Sequence, residues 1–466
     1  MNLKRKRIAG AVTSAAGCAA LLAGYLLSAG KTSHYLGGLI VMLAAVALYF
    51  FDVFMNGRDW LDLQCVFTGS WLFTIGMAAL RLCRYQKIWE GKTWALFAGA
   101  LVAFTLGNLL MTELFARRGD ALCRKAKGTI GRAFETHENR LFSIALAVTL
   151  VSLVCFVANI LYKGYVPYFS DAKDAYITFY SKLHIPTVAG TAASGLCYYC
   201  IRRCNLPRAK KFVMAACIVY SVLVMPILVV SRGTFIIAAV SLTGCVFYLH
   251  NKKFLALVLC LVITFAGYEL GTHARDLGQE DLQVIFEPES HEISLGGKTT
   301  VRIKMSGRDA FLYSYFTVSH DNVDAAVKNA TQRTHGARQL VPFNKVLRIP
   351  AIDRAANTEY YTVKENLNTN DLIGLAYYDF GAVGACVWLF FLSMVLTFVA
   401  CVRNRKSGPF ALLFNGYCIM IVMLSFFAAW MSVFTLWLLV GVVALMAILA
   451  CYTPKRQRVE KNAETV

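Results

Sequence analysis

Leu141-Phe-Ser-Ile-Ala-Leu-Ala-Val-Thr-Leu-Val-Ser-Leu-Val-Cys-Phe-Val-Ala-Asn-Ile-Leu-Tyr162 runs for 22 residues without one Asp, Glu, Lys, Arg or His. An α-helix rises about 1.5 Å per residue, so such a stretch crosses a hydrocarbon core of about 30 Å. Eleven further stretches read the same way: 8–29, 35–55, 61–81, 94–115, 184–201, 212–231, 233–250, 254–271, 382–402, 410–430 and 433–452. Of the 466 residues, 58% are hydrophobic and 16% charged, with mean hydropathy +0.54. Lipid offers no partner to a free backbone N–H or C=O, so spanning segments of this length are helices. The expected fold is an all-α integral membrane protein of about 12 transmembrane helices.

One long polar block, residues 272–370, interrupts this pattern with twelve Lys or Arg, twelve Asp or Glu and no cysteine. Polar loops of that length are uncommon and usually functional. The chain therefore divides into 1–271 with spans 1–9, a large loop at 272–381, 382–452 with spans 10–12, and a basic tail at 453–466. The first span follows Lys4-Arg5-Lys6-Arg7 as a signal peptide would, but its apolar part is too long and it reads as an anchor.

The net charge of +20 reports topology. Numbered from a cytoplasmic N-terminus, alternate loops collect the basic residues: Lys4–Arg7, then Arg117 to Arg140, Arg202 to Lys211, Lys252, Lys253, Arg403 to Lys406 and the tail. Only Arg81–Lys92 breaks the pattern. This positive-inside bias puts both termini in the cytoplasm and the 272–381 loop outside, and it removes the case for a nucleic-acid partner. Fourteen of fifteen cysteines lie in or beside spans and read as small apolar residues. Cys197-x-x-Cys200 with Cys204 has metal-like spacing, but no histidine stands near it. Neither a Walker A loop, a dinucleotide fingerprint nor His-Glu-x-x-His occurs.

Three places stand out. Pro226-Ile-Leu-Val-Val-Ser-Arg-Gly-Thr-Phe235 joins spans 7 and 8 with no real loop, Pro226 kinking the first helix and Gly233 making the turn beside Arg232. An arginine at the membrane boundary marks a functional site or snorkels to the interface. Gly164-Tyr-Val-Pro-Tyr-Phe-Ser-Asp171 and its continuation to Tyr180 supply aromatics, Tyr165 and Tyr168 among them, for a sugar cleft or an aromatic belt. Within the large loop, 284–305 alternates apolar and polar around Gly296-Gly297, a β-hairpin pattern, while 308–349 reads as an amphipathic helix. That helix carries Phe311, Leu312, Tyr315 and Phe316 before Ser319-His-Asp-Asn322.

The Gly164-x-x-Pro167 loop, the Ser231-Arg-Gly-Thr-Phe235 hairpin and the Tyr377-Tyr-Asp-Phe-Gly381 entry to span 10 occur in an order that resembles the oligosaccharide repeat-unit polymerases (Wzy-type, O-antigen polymerase family). The motifs cover about thirty residues, and the layout covers most of the chain. The resemblance implies a metal-independent glycosyltransferase of the bacterial cytoplasmic membrane, without cofactor. It moves a growing glycan from undecaprenyl diphosphate to a lipid-linked acceptor unit at the outer face, for O-antigen or a similar polysaccharide, with a chain-length regulator as a further partner. The lipid diphosphate calls for arginines, and Arg232, Arg275, Arg338 and Arg348 are its candidates. The acceptor hydroxyl calls for a base. His320 and Asp321 come first, then His335, and Asp379, whose alternative is a helix cap. Tyr165, Tyr168 and Tyr377 are the sugar-binding candidates. The 284–305 hairpin departs from the family pattern.

Two other functions share this layout. An O-antigen ligase uses a similar donor with a different acceptor. A flippase of lipid-linked oligosaccharide predicts interrupted midplane helices and charges inside spans, whereas the charges here gather at span edges. A mannosyltransferase-like enzyme is disfavoured, since Ala29–His34 carries no carboxylate.

Overall fold

The computed structural model describes residues 3–451 apart from 31, 127–137, 171–174, most of 251–278, 296–298, 345–347, 359, 366 and 405–407. The helices run in order α1 Leu3–Ser28, α2 Ser33–Phe50, α3 Leu63–Ala79, α4 Gly91–Ala126, α5 Glu138–Lys163, α6 His184–Arg203, α7 Arg208–Leu228 and α8 Arg232–Leu249. Then follow α9 Gln279–Phe286, strands β1 Ser290–Leu295 and β2 Thr299–Lys304, α10 Gly307–Asn329, α11 Pro350–Asn357, α12 Leu372–Asn404, α13 Pro409–Met423 and α14 Phe434–Cys451.

Eight helices among the described residues are long and apolar enough to cross a membrane, making this a multi-pass membrane protein. Twelve such helices are not present there. The 61–81 stretch shortens to α3, 17 residues, because Asp62 caps its start and the chain turns off at Leu80. The 410–430 stretch ends at Met423 in α13, 15 residues, and continues in turns to a 3-10 turn at Trp430–Ser432. The 184–201 stretch is helical as α6, but it is not one of the eight. Most of 254–271 and the 453–466 tail lie outside the described residues.

The chain forms two compact units: Met1–Glu113, Leu277–Phe398 and Ile419–Phe434 make the first, and Leu114–Asp276, Val399–Cys418 and Thr435–Val466 the second. The polar block therefore shares a body with α1–α3. In this unit α2 and α3 meet backbone to backbone, since a Cβ on Gly38 would stand 2.7 Å from the Gly76 carbonyl and one on Gly76 2.8 Å from that of Gly38. Small residues at helix contacts permit such approach in membranes.

α10 starts at a capping box in which the Ser306 hydroxyl accepts from Asp309 N–H and the Asp309 carboxylate accepts from Ser306 N–H. The helix ends at Asn329, so the 308–349 expectation holds for its first half only; His335 at φ 50° and Gly336 at φ 89° keep the following segment out of helix. From Thr317 to Ala326 every residue is buried, so a stretch of mixed polarity is enclosed on all sides. Each polar side chain there needs its own partner. The hairpin is present with Ile293 opposite Val301, but 284–286 belong to α9. Its root is fastened by Arg84 N–H to the Glu287 carbonyl (3.0 Å) and Glu289 N–H to that of Leu82 (3.1 Å).

In the second unit, α7 passes through a π-turn at Tyr220–Val224 directly before Pro226. The wider turn accommodates a residue that has no N–H and crowds the preceding turn. The turn into α8 is made by Val230 at φ 56°, and Gly233 lies inside the helix, correcting the expectation for Gly233. Ser231 caps α8, its hydroxyl accepting from Thr234 N–H at 3.3 Å.

Candidate functional site

The first unit holds two linked arrangements, a buried polar staple on α10 and an arginine–tyrosine array where residues 333–338 meet α12.

In the staple, successive residues of α10 point in different directions, and each finds a partner. His320 Nδ1 lies 3.0 Å from Asp371 Oδ2, and its Nε2 lies 2.9 Å from Thr74 Oγ1. Trp71, Phe97 and Trp89 surround the imidazole, with ring centroids at 5.2, 5.5 and 6.5 Å. Asp371 precedes α12 and caps it, accepting from Gly374 N–H at 2.6 Å. Asp321 accepts from Gln86 Nε2 (2.9 Å) and Trp89 Nε1 (2.8 Å). Asn322 donates to the carbonyls of Leu367 (2.6 Å) and Thr369 (2.8 Å), and the Ser319 hydroxyl to that of Phe426. Asp324 accepts from Glu90 N–H (2.9 Å) and Thr93 Oγ1 (2.6 Å) and pairs with Lys328 (2.5 Å). His320 and Asp321 are fully enclosed, so α10 joins α3, the loop before α4 and the start of α12 through them.

Burial pushes the Asp321 carboxyl up to about 7, against the opposing hydrogen bonds from Gln86 and Trp89. Burial also raises Asp371, opposed by the His320 contact. A folded carboxyl that holds its proton more tightly than the unfolded one makes stability fall as pH rises. For Asp321 the fall runs from the ordinary carboxylate range to about 7 and levels off above it. Melting in detergent at pH 5, 6.5 and 8 is expected to give a Tm that drops by several degrees, with the slope reduced in Asp321→Asn; no slope, or a rising one, contradicts this.

The array is built from backbone as well as side chains. Thr334 N–H donates to the Tyr378 carbonyl (3.2 Å) and His335 N–H to that of Asp379 (3.0 Å). Asp379 Oδ1 accepts from Thr334 Oγ1 (2.5 Å) and Arg338 N–H (3.1 Å), while its buried Oδ2 has no hydrogen-bond partner among the described residues. The Arg333 guanidinium carbon lies 4.3 Å from the Tyr377 ring centre, and Nη1 donates to the Tyr377 carbonyl at 3.1 Å. Arg338 is sandwiched between Tyr360 (4.1 Å) and Tyr378 (4.5 Å) and donates to the Thr358 carbonyl at 3.0 Å. Cation–π contact orients both guanidiniums, Arg333 half-buried and Arg338 fully buried.

Gly381 breaks α12 at φ 72°, ψ −172°, a conformation open to glycine, and a Cβ there would stand 3.4 Å from Arg333 Nε. Gly381→Ala is expected to cost about 1–3 kcal/mol. The check is its melting temperature against Gly441→Ala in α14, where a Cβ meets nothing within 4 Å; equal losses contradict the assignment.

The structure brings Arg338, Asp379, Tyr377 and His335 together, His335 being exposed. His320 and Asp321 belong to the staple, about two turns away along α12 from Asp379 as counted from Asp371. Arg348 is exposed at φ 49°, and Arg275 lies outside the described residues. Arg232, Tyr165 and Tyr168 belong to the second unit. There Arg232 is buried at the start of α8, and Tyr168 is exposed. The Tyr165 hydroxyl bonds to Thr178 (2.7 Å) and the Ala175 carbonyl (3.0 Å). Sequence reasoning missed Thr74, Asp371, Arg333, Tyr360 and Tyr378. Arg333 and Tyr378 stand in stretches already singled out, and for Asp371 a carboxylate before an apolar helix is a capping signal.

No protein-family model, curated protein or solved structure matches the chain.

Proposed function

We propose that this protein is a membrane glycosyltransferase that polymerises lipid-linked oligosaccharide repeat units at the outer face of a bacterial cytoplasmic membrane. In this reading the chain crosses twelve times, both termini are cytoplasmic and the 272–381 loop faces outward. The observation that supports it most is the half-buried Arg333 guanidinium, stacked on Tyr377 beside the buried Arg338–Tyr378 contact, where a polar segment joins the head of a membrane helix. A lipid-linked diphosphate presents its charge at that kind of boundary.

In the proposed step, the glycosidic C1–O bond to undecaprenyl diphosphate breaks and its electron pair leaves with the phosphate oxygen. Charge builds on the diphosphate, and guanidinium N–H donors meet it with planar, permanent charge. The acceptor hydroxyl forms the new C1–O bond and gives its proton to a base. Asp379 suits that role through its unshared Oδ2, with exposed His335 beside it. His320 and Asp321 are positioning residues that fix α10 against α12.

The test is surface polysaccharide on a gel from a deletion strain. Polymerase loss leaves core carrying a single repeat unit. Loss of every attached unit indicates a ligase instead, units trapped inside indicate a flippase, and an unchanged ladder rejects all three. Arg333→Ala, expressed at normal level in that strain, is expected to restore no long chains; a normal ladder removes Arg333 from the reaction.

A further inference from the structure

We propose that Tyr360 and Tyr361 form a stacking subsite for a pyranose ring. This rests on the glycosyl-transfer reading and specifies that the ligand at the array includes a sugar in contact with these two side chains. The pair lies in the segment after α11. Tyr361 N–H donates to the Tyr378 hydroxyl at 2.7 Å, and its ring lies parallel to that of Tyr378, 6° apart with centroids at 6.4 Å. The Tyr360 ring stands edge-on to Tyr378, 83° at 5.4 Å, and holds Arg338 on its face. Both rings are therefore fixed in orientation, yet Tyr360 is 38% and Tyr361 43% exposed.

Fixed orientation with exposed area is what stacking requires, because the cost of ordering the rings is met in folding and not in binding. One face of a pyranose presents C–H groups polarised by neighbouring oxygens, and these pack on the electron-rich face of a phenol ring. The hydroxyls at the sugar's edge then meet polar groups, here the two phenol hydroxyls. A bare phosphate gains nothing from an aromatic face. An interfacial aromatic belt needs amphipathic rings at headgroup level. It does not need a buried tyrosine hydroxyl clamping the backbone of its neighbour.

Full-length protein in lipid nanodiscs, applied to an array of water-soluble neutral and acidic oligosaccharides, tests this. Wild type is expected to retain at least one glycan, Tyr361→Ala to weaken its binding about tenfold or more, and Tyr361→Phe and Tyr361→Trp to stay within about threefold. The anchoring bond uses the Tyr361 backbone, so Tyr361→Ala keeps the segment's attachment to Tyr378. No glycan retained by wild type, unchanged binding in Tyr361→Ala, or equal loss in Tyr361→Phe overturns the subsite. The deletion-strain gel separates the two ideas. Tyr361-dependent binding with an unchanged surface ladder upholds the subsite and rejects polymerisation. A lost ladder with full glycan binding by Tyr361→Ala rejects the subsite alone.

Discussion

Arg333→Ala is expected to slow glycan extension about 10²–10³-fold, the usual cost of removing one donor aimed at developing charge. Arg333 is half-buried, rests on Tyr377 and gives one N–H to a backbone carbonyl, which leaves other donors for a ligand. Its loss empties no sealed core, so protein level and melting temperature should stay near wild type. Arg333→Lys keeps the charge but not the planar fork and is expected to recover little. The check is the rate of chain extension by equal amounts of purified wild type and variants. Wild-type rates in Arg333→Ala remove this side chain from the reaction.

His320→Ala is expected to have the largest effect on stability, about 3–5 kcal/mol, because it leaves Asp371 buried without its partner. The imidazole also fills the space between Trp71, Phe97 and Trp89, so a cavity adds to the loss. Asp371→Ala removes the other half of the pair and the cap of α12. The double variant should therefore cost clearly less than the sum of the single changes. Melting curves and the amount of folded protein in membranes decide it. A His320→Ala protein that is stable but inactive would return His320 to the chemistry.

The spanning character of α1, α2, α4, α5, α7, α8, α12 and α14 was legible because long apolar runs have one solution in lipid. α3 and α13 were overestimated, since hydropathy continues past the points where Leu80 and Met423 leave the helix. Tertiary bonds fix those ends: the Arg81 side chain donates to the Ser28 carbonyl at 2.8 Å after α3, and after α13 Leu372 N–H donates to the Ser425 carbonyl and Trp71 Nε1 reaches the Ser425 hydroxyl at 2.6 Å. In the candidate site, Arg338, Asp379 and Tyr377 were readable from motif and charge. Thr74 was not, because a threonine in an apolar helix gives no local sign that a histidine 246 positions away will meet it. His320 and Asp321, within a long polar loop, read as the first candidates for the catalytic base. Burial on every side of 317–326 makes them the fastening of that loop instead.

Polymerisation is the central claim, and purified protein in lipid vesicles with a single lipid-linked repeat unit as substrate tests it most directly. Products are separated by gel, and free undecaprenyl diphosphate is measured in the same tubes. The account predicts a ladder of two, three and more units, with one carrier released for each unit added, and neither product from Arg333→Ala at matched times. Unit-length substrate left intact by folded wild-type protein, or carrier released without a ladder, contradicts it.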